Sequence, residues 1–385
     1  MRVYLDHNAT TPLHPEAAQA MVDALALVGN PSSVHAEGRA ARKLMEAARF
    51  SVAGLVNAKP DDVTFTSGAT EALNLALTPD IETAYDRRPV ERLLIGAVEH
   101  AAVMEGHRFP ADRVEKVPVT PDGVLDLSAL AEALDRLGET RAMLALQTAN
   151  NETGVVQPVA EAAAMVHGRG GVMVVDAVQS AGRLPTDLGA LGADLLVVSA
   201  HKLGGPAGVG ALVRASDAIH FPRALVRGGG QERGSRGGTE NVAGISSFGV
   251  AARIAAESRA SEAIRQRALR DHLEAGLIAV RPDLRILAAR SERLPNTSAV
   301  LVPNLSAETA LIALDLAGLA VSSGAACSSG RVKSSHVLDA MGVAPDLNRS
   351  MIRFSLGSTT RMEDIERALV IWVQAMTDIR LRSAA

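Results

Sequence analysis

Between residues 60 and 215, short β-branched and aliphatic runs alternate with stretches whose apolar positions recur at helical spacing. The runs at 62–66, 92–97, 114–119, 142–147, 172–175, 195–199 and 209–213 read as strands. Helical patterns follow from residue 69 and at 101–108, 127–137 and 159–168. Strands that alternate with helices build βαβ units around a mostly parallel sheet. Several runs, such as Gly171-Val-Met-Val-Val175 and Leu195-Leu-Val-Val198, are apolar at every position, as expected of strands covered on both faces. A doubly wound α/β domain is therefore expected. Beyond it, an alanine-rich helical pattern over 242–279 leads to strands at 297–302 and 351–355 and helices at 307–317 and 362–380. These describe a smaller α+β domain.

Open parallel sheets place their ligands at the carboxyl ends of the strands. In this chain those ends are followed by Ser67-Gly-Ala-Thr-Glu71, Glu99-His100, Asn150-Asn-Glu-Thr-Gly154, Asp176-Ala-Val-Gln179 and Ser199-Ala-His-Lys202. Each is polar, titratable or glycine-rich. The convergence of five such segments predicts a binding site there.

Composition narrows the chemistry. A chain of 385 residues, 47% of them hydrophobic, can bury one large core and a smaller one. The net charge of −4 gives no basic footprint for nucleic acid. Asp6, His7 and Asn8 interrupt the N-terminus before any signal-peptide run, and no apolar stretch reaches membrane-spanning length. With one cysteine, Cys327, no internal disulfide can form, which suits a reducing cytoplasm. There are five lysines, Lys43, Lys59, Lys116, Lys202 and Lys333, so candidate Schiff-base residues are few.

Thr66-Ser-Gly-Ala-Thr-Glu71 opens a helix directly after a strand. It offers free N–H groups, a positive dipole end and hydroxyls to a phosphate, or forms an ordinary capped turn. Asp176 ends a buried strand, where an unpaired carboxylate is costly and calls for a cation. Lys202 follows another apolar strand, and desolvation there makes an amine nucleophilic. The plain alternative is an Asp176–Lys202 salt bridge. With Thr70, His100, Asn151 and Gln179 arriving from neighbouring strand ends, pyridoxal 5′-phosphate is the single ligand that uses them all. Cys327 lies in a run of small and polar residues, Ser322-Ser-Gly-Ala-Ala-Cys-Ser-Ser329. Such surroundings suit a reactive thiol on a loop better than an inert buried one.

These motifs resemble those of the cysteine desulfurases, in the long-loop class that includes the nitrogen-fixation and iron–sulfur housekeeping enzymes of the class V aminotransferase family. The resemblance is carried by Tyr4-Leu-Asp-His-Asn-Ala-Thr-Thr-Pro12, Gly29-Asn-Pro-Ser-Ser33, the strand-end motifs, Gly228-Gly-Gly-Gln-Glu-Arg-Gly-Ser-Arg-Gly-Gly-Thr-Glu-Asn241, the Cys327 segment and Ile352-Arg-Phe-Ser-Leu-Gly357. It implies a fold-type I pyridoxal-phosphate enzyme with a mostly parallel seven-stranded sheet. Residues 1–15 would pack with the small domain, 16–260 would form the large domain, and 261–385 the small domain with the Cys327 loop. The implied reaction converts L-cysteine to L-alanine and leaves a persulfide on Cys327. Lys202 would carry the cofactor, Asp176 would hold its ring nitrogen protonated, Gln179 would bond its phenolic oxygen, and His100 would stack on the ring and move protons. Ala69, Thr70, Ser199 and His201 would cradle the phosphate with Thr239 of a partner subunit, and Arg353 and Asn151 would hold the substrate carboxylate. The resemblance further implies a homodimer that hands sulfur to an acceptor protein such as an iron–sulfur scaffold. It implies no resident metal, with Cys327 at most a transient iron–sulfur ligand. Two small departures, alanine at 200 and glycine at 238 where the family often has glycine and serine, leave the phosphate-binding side chains in place. The chain also stops soon after the closing helix, where the housekeeping members carry an extension used to dock their scaffold.

Overall fold

The computed structural model describes residues 2–83, 86–324 and 334–384. In chain order its strands are β1 (Val3–Tyr4), β2 (Val63–Thr66), β3 (Arg92–Gly96), β4 (Val114–Val117), β5 (Ala142–Gln147), β6 (Val172–Asp176), β7 (Leu195–Ser199) and β8 (Gly210–Arg214). They continue with β9 (Arg285–Ile286), β10 (Thr297–Leu301), β11 (Leu319–Ala320) and β12 (Met351–Ser355). Seven of them form one sheet in the order β2-β8-β7-β6-β5-β3-β4. All neighbours are parallel except at β8, which runs antiparallel to both β2 and β7.

The alternation of side chains along each strand divides this sheet's core in two. Leu144, Leu146, Met173, Val175, Leu196 and Val198 enter one apolar cluster. Met143, Ala145, Val172, Val174, Leu195 and Val197 enter the other. The central strands are buried at every position, which is why they read as unbroken apolar runs. The first cluster is capped by Val52, Leu130, Val166 and Phe248, and the second by Leu73, Leu75 and Val103.

Two helices stand outside the expected alternation, Pro15–Leu25 and Ala36–Leu55. Both pack on the first half of the long Val242–Val280 helix. Half of their buried residues are alanine, a weak periodic signal. A Cβ at Gly249 would lie 2.4 Å from the Cα of Ala48, so glycine is what permits so close a helix crossing. The helix expected over 101–108 is only Ala101–Met104. Its exit turns tightly past Asn74, where a Cβ on Gly106 would come within 2.5 Å of that side chain.

A second core gathers around the three-stranded antiparallel sheet β12-β10-β9. Val300, Ile352, Phe354 and Trp372 fill it, with Leu273 and Leu277 from the far half of the long helix. Val3 and Leu5 are buried in this same cluster, because β1 pairs in parallel with β11. The N-terminal strand is thus tied to the second core, and residues 6–12 run from there to the carboxyl ends of the large sheet. No described helix is long and apolar enough to cross a membrane.

Candidate active site

The strand ends of the large sheet open into a cavity of about 500 Å³, closed on the other side by Asn8 and Ala9, by Ser322–Gly324 and by Arg353. Ala69, Thr70, His100, Asn151, Asp176, Gln179, Ser199, His201, Lys202 and Arg353, which motifs spread over 285 positions had suggested, all line this one space. Thr239 does not; it is exposed and outside this chain's own cavity. Cys327 lies outside the described residues.

At one end of the cavity the Ala69–Ala76 helix begins at Gly68 with no side chain capping it. Uncapped N–H groups and the helix dipole make that end receptive to an anion. Strand β8 comes unusually near: a Cβ on Gly210 would lie 2.7 Å from the carbonyl carbon of Gly68, so only glycine lets the strand seat this turn. Ser199 and His201 stand alongside. Burial, with the Lys202 and Arg183 charges, pulls His201 down to about 4, so the ring is neutral at pH 7. Its Nδ1 lies 3.2 Å from the Thr10 hydroxyl.

Asp176 occupies the middle. Burial pushes its carboxyl above the usual range, opposed by the Val178 N–H at 2.9 Å and by His100 and Lys202 nearby. The plain salt bridge is not formed: among the described residues no ion pair joins Asp176 to Lys202. Instead the Lys202 ammonium group donates to the backbone oxygens of Asn8, at 2.5 Å, and Ala9, at 2.7 Å. Burial lowers the Lys202 amine to about 7; the Arg183 and Arg353 charges add to the effect, and Asp6 and Asp176 oppose it. An amine with that proton affinity is substantially unprotonated at neutral pH and able to attack a carbonyl carbon.

His100 caps the Ala101–Met104 helix, its Nδ1 accepting from the Ala102 N–H at 3.1 Å. That bond places the proton of the neutral ring on Nε2, and burial keeps the ring neutral by lowering its proton affinity. Immediately before it, Glu99 is fully buried and held well above the ordinary carboxyl range, with Gln147 N–H donating to Oε1 at 2.8 Å. Arg353, from β12, donates to the Asn151 backbone oxygen at 3.0 Å and to Asp6 at 2.7 Å. The guanidinium is thereby fixed in the cavity wall, in a planar geometry suited to a carboxylate.

Sequence reasoning missed the residues that join the two cores. Asn8 bonds Asn151, Thr297, Asn296 and the Ser355 hydroxyl, and its carbonyl also receives Gln179 and Lys202. Asp6 and Arg183 were likewise overlooked. The signal was the unbroken polar run Asp6-His-Asn8 within a motif to which no chemistry had been assigned.

The donor set fits pyridoxal phosphate: an uncapped helix start for the phosphate, a buried carboxyl without an ion-pair partner among the described residues for the ring nitrogen, and on the same cavity a lysine lowered to about 7. Comparison with known proteins agrees. Residues 3–368 match the aminotransferase class-V family. A cysteine desulfurase of Frankia sp. (strain EuIK1) is 41% identical over 401 aligned positions, spanning 98% of this chain and 92% of that one. A cysteine desulfurase of Cereibacter sphaeroides is 42% identical over 388, spanning 99% and 97%. The X-ray structure of a NifS-like protein from Rickettsia africae superposes with a TM-score of 0.88 at 32% identity, covering 98% of this chain and 100% of that one. With its motifs, cavity and full-length relatives in agreement, the chain belongs to the class-V aminotransferase family.

Proposed function

We propose that this protein is a pyridoxal-phosphate-dependent cysteine desulfurase that converts L-cysteine to L-alanine and keeps the sulfur as a persulfide on Cys327. The observation that carries this reading is that Lys202, held on the Asn8 and Ala9 carbonyls, the buried Asp176 carboxyl and the Asp6-bound Arg353 all line one cavity. The bound cofactor supplies an electron sink that makes the bonds around the substrate's α- and β-carbons labile. Lys202 holds the cofactor, Asp176 keeps its ring nitrogen protonated, and Gln179 donates to its phenolic oxygen. The Ala69–Thr70 helix start, Ser199 and His201 hold the phosphate, together with Thr239 from the second subunit of a homodimer. Arg353 and Asn151 take the substrate carboxylate. His100, neutral with its proton on Nε2, stacks on the ring and moves a proton at that atom.

Cys327 completes the chemistry. Its thiolate bonds to the substrate sulfur as the carbon–sulfur bond breaks. The bonding pair stays with the three-carbon fragment, which gains protons and leaves as alanine. The persulfide then passes to an acceptor protein in the cytoplasm, for iron–sulfur cluster assembly or another sulfur-containing cofactor. In this reading residues 16–260 form the cofactor-binding domain and 261–385, with the N-terminal 1–15, the domain that brings Cys327 and Arg353.

The test is Cys327→Ala. The variant should keep the cofactor's absorbance and form neither sulfide nor persulfide from cysteine. Full turnover by that variant would overturn the assignment, and alanine released from selenocysteine but not from cysteine would favour a selenocysteine lyase.

A further inference from the structure

Arg183, half-buried, donates to the His7 carbonyl, next to the Asn8 carbonyl that receives Lys202, and does something unusual for a guanidinium so placed. Among the described residues no carboxylate pairs with it. Its partners are carbonyl oxygens: Nη1 donates to the Gln179 backbone oxygen at 3.0 Å and to the Gln179 side-chain Oε1, and Nη2 donates to the His7 backbone oxygen at 3.3 Å. Enclosure without a counter-ion lowers even this group to about 10, with Arg353 adding like-charge repulsion. A charge kept in so unfavourable a setting must be held there by the fold around it.

Two consequences are geometric. Gln179 lines the cavity, and Arg183 occupies its amide oxygen, so the NH₂ end is the one left to face inward. One of its hydrogens goes to the Asn8 oxygen at 3.1 Å. An amide free to flip would present an acceptor to a phenolic oxygen half the time. In addition, Lys202 meets charges of both signs: Asp6 and Asp176 face it as carboxylates, Arg183 and Arg353 as cations, and His100 and His201 as neutral rings. Arg353 is paired with Asp6, so among the described residues Arg183 is the cation of this group that no carboxylate pairs.

We propose that Arg183 is a positioning residue for this site, turning the Gln179 amide so that its N–H donors face the cofactor's oxygen and placing near the Lys202 amine a positive charge that no described carboxylate pairs. It touches neither substrate nor cofactor and acts through these two side chains. The fall of the Lys202 amine to about 7 is the second effect made visible: after burial, Arg183 is its largest cause. The inference rests on Lys202 being the cofactor-bearing amine. Borohydride reduction of the loaded enzyme tests that point separately, by fixing the cofactor to the Lys202 peptide.

The experiment compares Arg183→Met, Arg183→Gln and Arg183→Lys with the parent. Lys202 of the full chain, freed of cofactor, is acetylated with acetic anhydride across pH 5–10, and its peptide is quantified by mass spectrometry. In the parent the reactivity should rise with a midpoint near 7. In the Met and Gln variants the midpoint should move up; a shift of one pH unit lowers labelling at pH 7 about fivefold. Lysine at 183 should return the curve towards the parent. In the loaded enzymes, Arg183→Met should also displace the cofactor's absorption band, because the donor at its phenolic oxygen is no longer fixed. Superimposable labelling curves for parent, Gln and Met variants would overturn the charge effect, and an unmoved band would overturn the orientation of Gln179. If the Met variant does not fold, the Gln and Lys pair decides the charge effect alone, since both keep a donor near Gln179.

Discussion

Arg49 is buried and Arg183 half-buried, and the two are treated in opposite ways. Arg49 is clasped by Glu232 in two bonds of 2.8 and 2.9 Å, donates to the Val63 oxygen at 2.7 Å and lies 4.8 Å above the Phe65 ring. Glu232 also accepts the Phe65 N–H at 2.9 Å. Every charge in that region has its opposite, and the cluster ties the Gly228–Gly238 segment to the edge strand β2. Arg183 has carbonyl dipoles alone, next to a lysine and a second arginine. Compensated burial fastens two parts of the chain together. Uncompensated burial changes how neighbouring groups hold their protons, and the fold tolerates it where chemistry is done.

The contrast predicts that changes in the two regions separate activity from stability. The largest effect is expected for Lys202→Ala. Its desulfurase kcat/KM should fall on the order of 10³-fold or more, with a thermal midpoint no lower than the parent's, since a desolvated amine has been removed. Substantial loss of folding there would place Lys202 among the structural residues. Glu232→Ala should do the reverse. It strands the Arg49 charge and should cost about 3–5 kcal/mol, read as a lower denaturation midpoint, while whatever remains folded still turns over. Arg183→Met, with no ion pair to break, should cost markedly less than Glu232→Ala; equal losses would dissolve the distinction.

A smaller effect concerns pH. His7 is buried against Tyr4; burial together with Arg183 pulls it down to about 4, opposed by the Tyr4 backbone. Between the ordinary histidine value and about 4, the unfolded chain binds a proton that the folded chain refuses. Stability is therefore present above that window and lost as pH falls through it, by at most about 3 kcal/mol. His7→Phe should flatten this acid limb in denaturation midpoints taken from pH 7 to 4. A constant packing offset would leave the slopes parallel, and parallel slopes would exclude His7 as the source.

Much of this architecture was legible along the chain. The helix Leu127–Leu137 and strands β5, β7 and β12 fall where periodicity puts them, because burial on two faces or one stripe writes itself directly into local hydrophobic pattern. Strand ends carrying Thr70, His100, Asp176 and Lys202 announced the cavity for a related reason: in a parallel sheet the ends all point one way. The alanine-striped helices at Pro15–Leu25 and Ala36–Leu55 were not legible, since alanine is as common on surfaces as in close helix contacts.

Local periodicity and the polarity of strand ends were enough to specify the sheet, the second core and nearly all the side chains that converge on the cavity. Which charges are compensated was set by the folded arrangement alone. That Lys202 rests on the Asn8 and Ala9 carbonyls rather than on Asp176, that Arg353 takes Asp6, and that Arg183 pairs with no acid among the described residues follow from contacts between segments as distant as residues 6 and 353. Electrostatics in a buried site depends on separation in space and on excluded water, and neither is written in the spacing of residues along the chain.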